Sequence, residues 1–257
     1  MTNIHPTAII DPKAELAEDV SIGPYSIVNG EVKIEGGTQI GPHVLIDSGT
    51  IIGKNCKIHK GAILGTPPQD LKFGGEKTLL RIGDNTTIRE YASLNRGTTW
   101  RGETIVGKNC FIMMYAHVAH DCLIGDNVIM ANSVNLAGHI EIGDYAILGG
   151  VLPVHQFVKI GPHTIIGGGF RVQKDVCPFM MVAGYPLKTV GLNLVGLKRR
   201  GFPEKTIDTL KEVYKIIFRS KLNTSQATEK IRNEIELLPE VKQILDFIEK
   251  SDRGIVK

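Results

Sequence analysis

Nowhere in this chain of 257 residues do about 18 apolar residues stand together, so no membrane-spanning helix is expected. The opening MTNIHPTAII lacks a basic n-region and a sustained apolar run, which speaks against a secretory leader. A soluble, cytoplasmic protein is the expectation. Cysteine is scarce: Cys56, Cys110, Cys122 and Cys177 form no C-x-x-C pair, which leaves no basis for a zinc motif or a disulfide framework. Nor is there a large charge of either sign. A net +3 does not call for a nucleic acid, and no such partner is expected. The surplus is unevenly placed: from Lys188 onward 15 Lys/Arg face 10 Asp/Glu, and before it 15 face 17. A basic C-terminal part suits an acidic partner and reads equally as a solvated face.

What the chain has in abundance is aliphatic residues at a fixed spacing. Steps of six from Ile4 to Val172 visit 29 positions, of which 26 hold an aliphatic residue or Met; only Asp70, Glu76 and Trp100 interrupt. A period of six belongs neither to a helix nor to an alternating strand, and it marks a solenoid. Four residues after each aliphatic comes a residue that is mostly small or β-branched, as at Ser26, Thr38, Ala62, Ala92, Ala116 and Ala146, and Cys56, Cys110 and Cys122 fall in the same slot. Glycine often follows the aliphatic directly, as at Gly23, Gly41, Gly53, Gly83, Gly107, Gly125, Gly143 and Gly161. Each hexad therefore reads as a short strand with one aliphatic pointing inward, then a tight corner where glycine relieves the backbone. Three hexads close a triangular coil, giving about ten coils stacked at roughly 4.8 Å.

The breaks at Asp70, Glu76 and Trp100 place loops near residues 66–80 and 97–104, and loops leaving a rigid scaffold tend to carry function. After Val172 the period stops. Pro203 and Glu204 open LKEVYKIIFRS, Asn223 to Ser225 cap a further helix, and Pro239 starts VKQILDFIEK. The expected organisation is a β-helix domain over 1–185 and a small helical domain over 186–257.

In 18-residue coils, residues 18 apart stack. His120 then lies under Gly138 and Gln156, Asp121 under His139, and His117 under Asn135. A histidine beside a carboxylate and beneath a glycine suits acyl transfer: imidazole takes a hydroxyl proton, the carboxylate orients the ring, and a bare backbone N–H holds an oxyanion. The same run, AHVAHDC, also reads as plain solvent-facing polarity.

The segments GTPPQDLKFGGE, IRE, LNRGT, AHVAHDC, LAGH, VHQF, GGG, GLN and GLKRRGF, in this order and spacing over almost the whole chain, resemble the UDP-N-acetylglucosamine acyltransferase family, which begins lipid A synthesis. The hexad pattern likewise resembles the hexapeptide-repeat proteins, whose prisms wind left-handed against the usual crossover rule. The resemblance implies a homotrimer with sites in the grooves between adjacent prisms. It implies transfer of a 3-hydroxyacyl group from acyl carrier protein to the 3-position of a UDP-sugar. His120 matches the catalytic base, Asp121 the orienting carboxylate and Gly138 the oxyanion donor, with His139 beside it. Gln69, Asp70, Lys72, His117 and Gln156 match positions around the acyl chain and sugar, and Asn193, Arg199 and Arg200 match nucleotide-sugar contacts. Gly168 matches a ruler position where glycine leaves the acyl groove open for a long chain. No metal and no soluble cofactor are implied, because the donor brings its own phosphopantetheine arm.

Two positions depart from the family pattern. Asn95, in LNRGT, stands where family members carry His near the acceptor sugar, and Val195 stands where some carry a glutamate. Whether the acceptor offers a 3-hydroxyl or a 3-amino group stays open. Other readings stand beside this one: a carbonic anhydrase of the hexapeptide class with His117 and His120 as zinc ligands, a structural solenoid, and an N-acyltransferase or coenzyme A-dependent acetyltransferase. The first is disfavoured by histidines three apart where that class spaces them five apart.

Overall fold

A computed structural model describes residues 3–257. From the N-terminal end the chain winds as a left-handed parallel β-helix of triangular section. Strands of two residues, such as Ser21–Ile22, Ile27–Val28 and Lys33–Ile34, lie in turn on three faces, here faces one, two and three. Each pairs in parallel with the strand one coil on, so that Ile22 meets Ile40, Val28 meets Ile46 and Ile34 meets Ile52. Face one has eleven strands, and faces two and three have eight each. The inward aliphatics form one continuous core, from Val20 and Ile22 to Ile166, Val172 and Val182.

Why a hexad makes a corner is visible in its third and fourth positions. The residue three after many of the aliphatics, such as Tyr25, His43, Asn55, Asn85, Asp121 or His139, has φ between 55° and 63°. This left-handed conformation costs a non-glycine residue on the order of 1–2 kcal/mol. It is offset because the N–H of that residue bonds back to the coil below, as His43 N–H does to Pro24 O and His139 N–H to His120 O. The glycines directly after the aliphatics serve another purpose than the expected relief of φ. A Cβ on Gly23, Gly83 or Gly161 would lie 2.8, 2.7 or 2.4 Å from backbone atoms of the next coil, so glycine there sets how closely coils stack. Cys56, Cys110 and Cys122 fill the small inner slot after the corner and are buried free thiols. Burial pushes Cys110 up to about 11 and Cys122 to about 12.

Two excursions leave the prism, one between Thr66 and Leu79 and one between Asn95 and Glu103. Ile52 pairs with Ile82 and Ile82 with Val106, so each excursion adds a multiple of six residues to a coil. That is why the six-residue step survives both.

The prism does not give way to helix at Val172. Met180–Ala183 adds a parallel strand to face one, and Lys188–Leu192 returns antiparallel to it, a hairpin that the hexad period cannot reveal. Four helices follow: α1 (Leu194–Arg199), α2 (Glu204–Phe218), α3 (Thr224–Glu234) and α4 (Pro239–Glu249). Asn223 and Gln226 close a reciprocal capping box on α3, and Pro239 occupies the first turn of α4. In α2, Ile207, Leu210, Val213 and Ile217 repeat at helical spacing and pack with Ile231, Val241 and Ile244 on Phe179 and Met180. The chain end returns to the prism, where Val256 N–H bonds to Asp175 O and Thr189 Oγ1 to Val256 O.

Candidate active site

The edge between faces two and three carries Asp121, His139 and Phe157 in one column, each in the left-handed conformation. His120 precedes Asp121 at this corner, and one coil above it is Gly138. A Cβ on Gly138 would lie 2.6 Å from His120 Cε1 and 2.7 Å from Nε2. The imidazole thus lies directly against the glycine, and a side chain there would displace the ring. Among the described residues the Gly138 N–H has no acceptor, whereas that of His139 is bonded to His120 O.

Asp121 is fully buried, and both its oxygens are occupied. Oδ1 accepts the Thr98 N–H at 3.0 Å and the Arg101 N–H at 3.2 Å; Oδ2 accepts the Thr98 hydroxyl at 2.7 Å and lies 2.7 Å from His120 Nδ1. Burial alone would raise its pKa, but the hydrogen bonds from His120 and Thr98 and from the Thr98 and Arg101 amides outweigh it, and the carboxyl is held below its usual range. An ionised carboxylate can only accept. His120 Nδ1 must therefore donate to it, which leaves the Nε2 lone pair free to take a proton.

Around this pair stand two more histidines. His139 lies flat on Phe157 at 4.4 Å and edge-on to His120 at 5.0 Å and to Trp100 at 4.6 Å. Its Nδ1 is buried without a hydrogen bond, 3.8 Å from Asp121 Oδ2. Burial lowers its pKa, with the charges of Asp121 and Asp70 opposing and those of His120 and Arg101 assisting. His117 hydrogen-bonds Ser93 Oγ at 2.8 Å, and burial lowers it likewise. His120, Asp121 and His139 offer ligand atoms within 4.8 Å of one another. With four donors already on Asp121, this set has the character of an acid–base pair rather than of an open cation cage.

Both excursions come to this edge. Asp70 accepts the Lys72 N–H at 3.0 Å and is close enough to His139 to act on its charge. Arg96 lies over the Phe73 ring at 5.5 Å, joining the two loops. Gln69 and Lys72 are exposed on the first loop, and Gln156 is exposed one coil above Gly138. Asn95 is buried beneath the first loop, with Nδ2 bonded to Thr66 Oγ1 and Pro67 O and Oδ1 unpaired.

The remaining residues singled out by sequence lie elsewhere on the prism. Asn193 caps α1, accepting the Gly196 N–H and donating to His163 O, and Arg200 donates to Tyr145 O and lies over the Tyr145 ring at 5.0 Å. Tyr145 and His163 belong to the edge between faces three and one. Arg199 is exposed on α1. Gly168 lies on the third edge, where a Cβ would stand 2.8 Å from Gly150 O, so glycine also serves coil stacking there. Thr98, Arg101 and Phe157 contribute to the surroundings of His120 although sequence reasoning gave them no role. The register break at Trp100 signals the first two, and the 18-residue column through Asp121 and His139 signals Phe157.

Comparison with known proteins adds to this geometry. Residues 175–256 match the family model described as UDP-N-acetylglucosamine O-acyltransferase, domain 2, and residues 103–138 match that of the bacterial transferase hexapeptide, six repeats. The acyl-[acyl-carrier-protein]–UDP-N-acetylglucosamine O-acyltransferase of Thermodesulfovibrio yellowstonii is 49% identical over 100% of both chains. That of Chlorobaculum parvum is 52% identical over 99% of this chain and 97% of its own. Among solved structures, the UDP-N-acetylglucosamine acyltransferase of Bacteroides fragilis superposes with a TM-score of 0.97 at 42% identity, covering 98% of this chain and 99% of the other.

Proposed function

This chain belongs to the acyl-[acyl-carrier-protein]–UDP-N-acetylglucosamine O-acyltransferase family, and on that footing we propose how its own residues carry the reaction. The enzyme moves an acyl group from acyl carrier protein to UDP-N-acetylglucosamine, the step that opens lipid A biosynthesis. The donor is a 3-hydroxyacyl thioester, and the acceptor atom is at the 3-position of the sugar. His120 Nε2 takes the proton from the acceptor as its oxygen attacks the thioester carbonyl. The Gly138 N–H receives the oxyanion of the tetrahedral intermediate. Collapse breaks the carbon–sulfur bond, and the proton on Nε2 passes to the departing thiol, returning His120 to its neutral form. No cofactor enters beyond the phosphopantetheine arm of the donor.

One observation carries this reading: His120 Nδ1 lies 2.7 Å from Asp121 Oδ2, on a buried carboxylate that already takes three other donors, and the ring lies against Gly138. Thioesters of several lengths, offered with both the 3-hydroxy and the 3-amino UDP-sugar, should yield an acylated sugar by mass spectrometry. Absence of product with every pair overturns the proposal.

The working form is a homotrimer with its sites between copies. His120 and the Asn193–Arg200 cluster occupy different edges of one prism, and α4 covers the upper part of the face between them, where Lys159 Nζ donates to Lys250 O. A second copy alongside brings the two edges together. Face two also presents an outward apolar row, Ile9, Ile27, Leu45 and Ile63, with Ile9 64% exposed, which a neighbouring prism would cover. Among the described residues no helix is long and apolar enough to cross a membrane, in keeping with a cytoplasmic site of action.

A further inference from the structure

The loop between Asn95 and Glu103 passes Thr98 directly over the buried carboxylate. Thr98 Oγ1 accepts the Trp100 N–H at 3.2 Å, and its own proton then points to Asp121 Oδ2 at 2.7 Å. The loop is pinned on every side. A Cβ on Gly97 would lie 2.5 Å from Glu103 N, the Gly97 N–H bonds to Leu79 O, and the Gly102 N–H bonds to Thr98 O. Arg96 donates to Gly65 O, and Arg101 to Glu141 Oε1 at 2.8 Å.

We propose that Thr98 is a positioning residue for the reaction: its hydroxyl and amide clasp Asp121 in the one orientation that receives His120 Nδ1–H, so that the loop selects the tautomer with Nε2 bare. This rests on the reading of His120 as the base. A carboxylate torsion is intrinsically broad, and without the Thr98 hydroxyl the two amides still hold Oδ1 but Oδ2 keeps His120 as its one partner, so its aim at the ring loosens. Losing one donor also concentrates negative charge on the remaining partners, which favours a protonated imidazole. The titratable and charged groups around His120 are Asp121 at its own corner, His117 on the adjoining strand and His139 one coil above, while Arg101 bonds Asp121 through its amide and acts with its charge on His139. Thr98→Val alters none of those charges, so a change in the pH profile reports the lost hydrogen bond.

The test compares Thr98→Val, Thr98→Ser and His120→Ala by the pH dependence of kcat/KM, with the tautomer of His120 read from its ring nitrogen resonances. Thr98→Val should lose about tenfold or more in kcat with KM changed by less than about twofold. Its acidic limb should move to higher pH. Thr98→Ser keeps the hydroxyl and should restore both. A valine variant with the wild-type limb and tautomer, or a serine variant as impaired as valine, overturns the proposal. Should Thr98→Val fail to fold, the wild type decides, since a proton on Nε2 of neutral His120 sinks the clasp without any variant. Turnover retained by His120→Ala refutes the base itself, whereas a dead His120→Ala beside a wild-type-like Thr98→Val refutes only the role of Thr98.

Discussion

At the scale of single residues, the proposed chemistry depends on what one glycine does not have. Gly138 gives His120 room to lie against the backbone and leaves an N–H without an acceptor. Gly138→Ala should keep the fold, because its neighbours in the coil are unchanged, yet drive the imidazole aside. Activity should fall by about 10²-fold, comparable to the loss of an oxyanion donor, and circular dichroism with steady-state kinetics checks both halves. His120→Ala should lower turnover by at least ~10²-fold with the assembly intact. Asp121→Asn should cost less, since an imidazole remains; a larger loss from Asp121→Asn would reverse the two roles. The paired arginines differ in surroundings, and their variants should differ too. Arg199 is exposed, so Arg199→Ala should raise KM for the UDP-sugar at constant melting temperature. Arg200 is tied to Tyr145 O, and Arg200→Ala should raise KM and lower the melting temperature together.

At the scale of elements, the ladder of rings on the edge between faces three and one has its own pH response. Tyr145, His163 and Phe179 stack with centroids 4.9 and 5.6 Å apart. His163 is pushed from 6.5 down to about 4, chiefly by burial and further by the Arg200 charge. A base whose pKa is depressed on folding binds fewer protons folded than unfolded, so stability is complete above about 6.5 and is lost as pH falls toward about 4. Thermal melts across that window should show a decline that His163→Phe removes, because phenylalanine keeps the stack and cannot be protonated. Equal pH slopes for the two proteins would mean that other groups govern the decline.

At the scale of the whole molecule, the separation of His120 from Arg200 across two edges sets a test that chemistry at one residue cannot. Native mass should be about three times 28.1 kDa. Ile27→Lys with Ile63→Lys, in the outward row of face two, should yield monomers without activity. Co-assembly of His120→Ala with Arg200→Ala should give more activity at low UDP-sugar than the mean of the two variants alone, because mixed assemblies contain sites with both residues intact. Activity equal to the mean would place both residues of a site in one copy.

The hexad was legible because one inward aliphatic per six residues is a local, strictly periodic demand that each coil repeats, and the two excursions preserved it by adding multiples of six. Helix starts at Pro203, Asn223 and Pro239 were legible for the same reason, since the fixed φ of a proline and the capping box of Asn223 with Gln226 are both local to the helix end. The stacking of His120 under Gly138 followed from counting 18 residues. Tertiary structure alone decided the rest. The purpose of the corner glycines depends on the backbone of the next coil, and the short α1 buries only Leu197, too little for a pattern. The hairpin after Val172 is held by pairing to a distant strand. Above all, the four donors on Asp121 come from a loop 20 to 23 residues away and from the adjacent His120. No periodicity records such a meeting, because it is made by the path of a loop through space and not by a repeat along the chain.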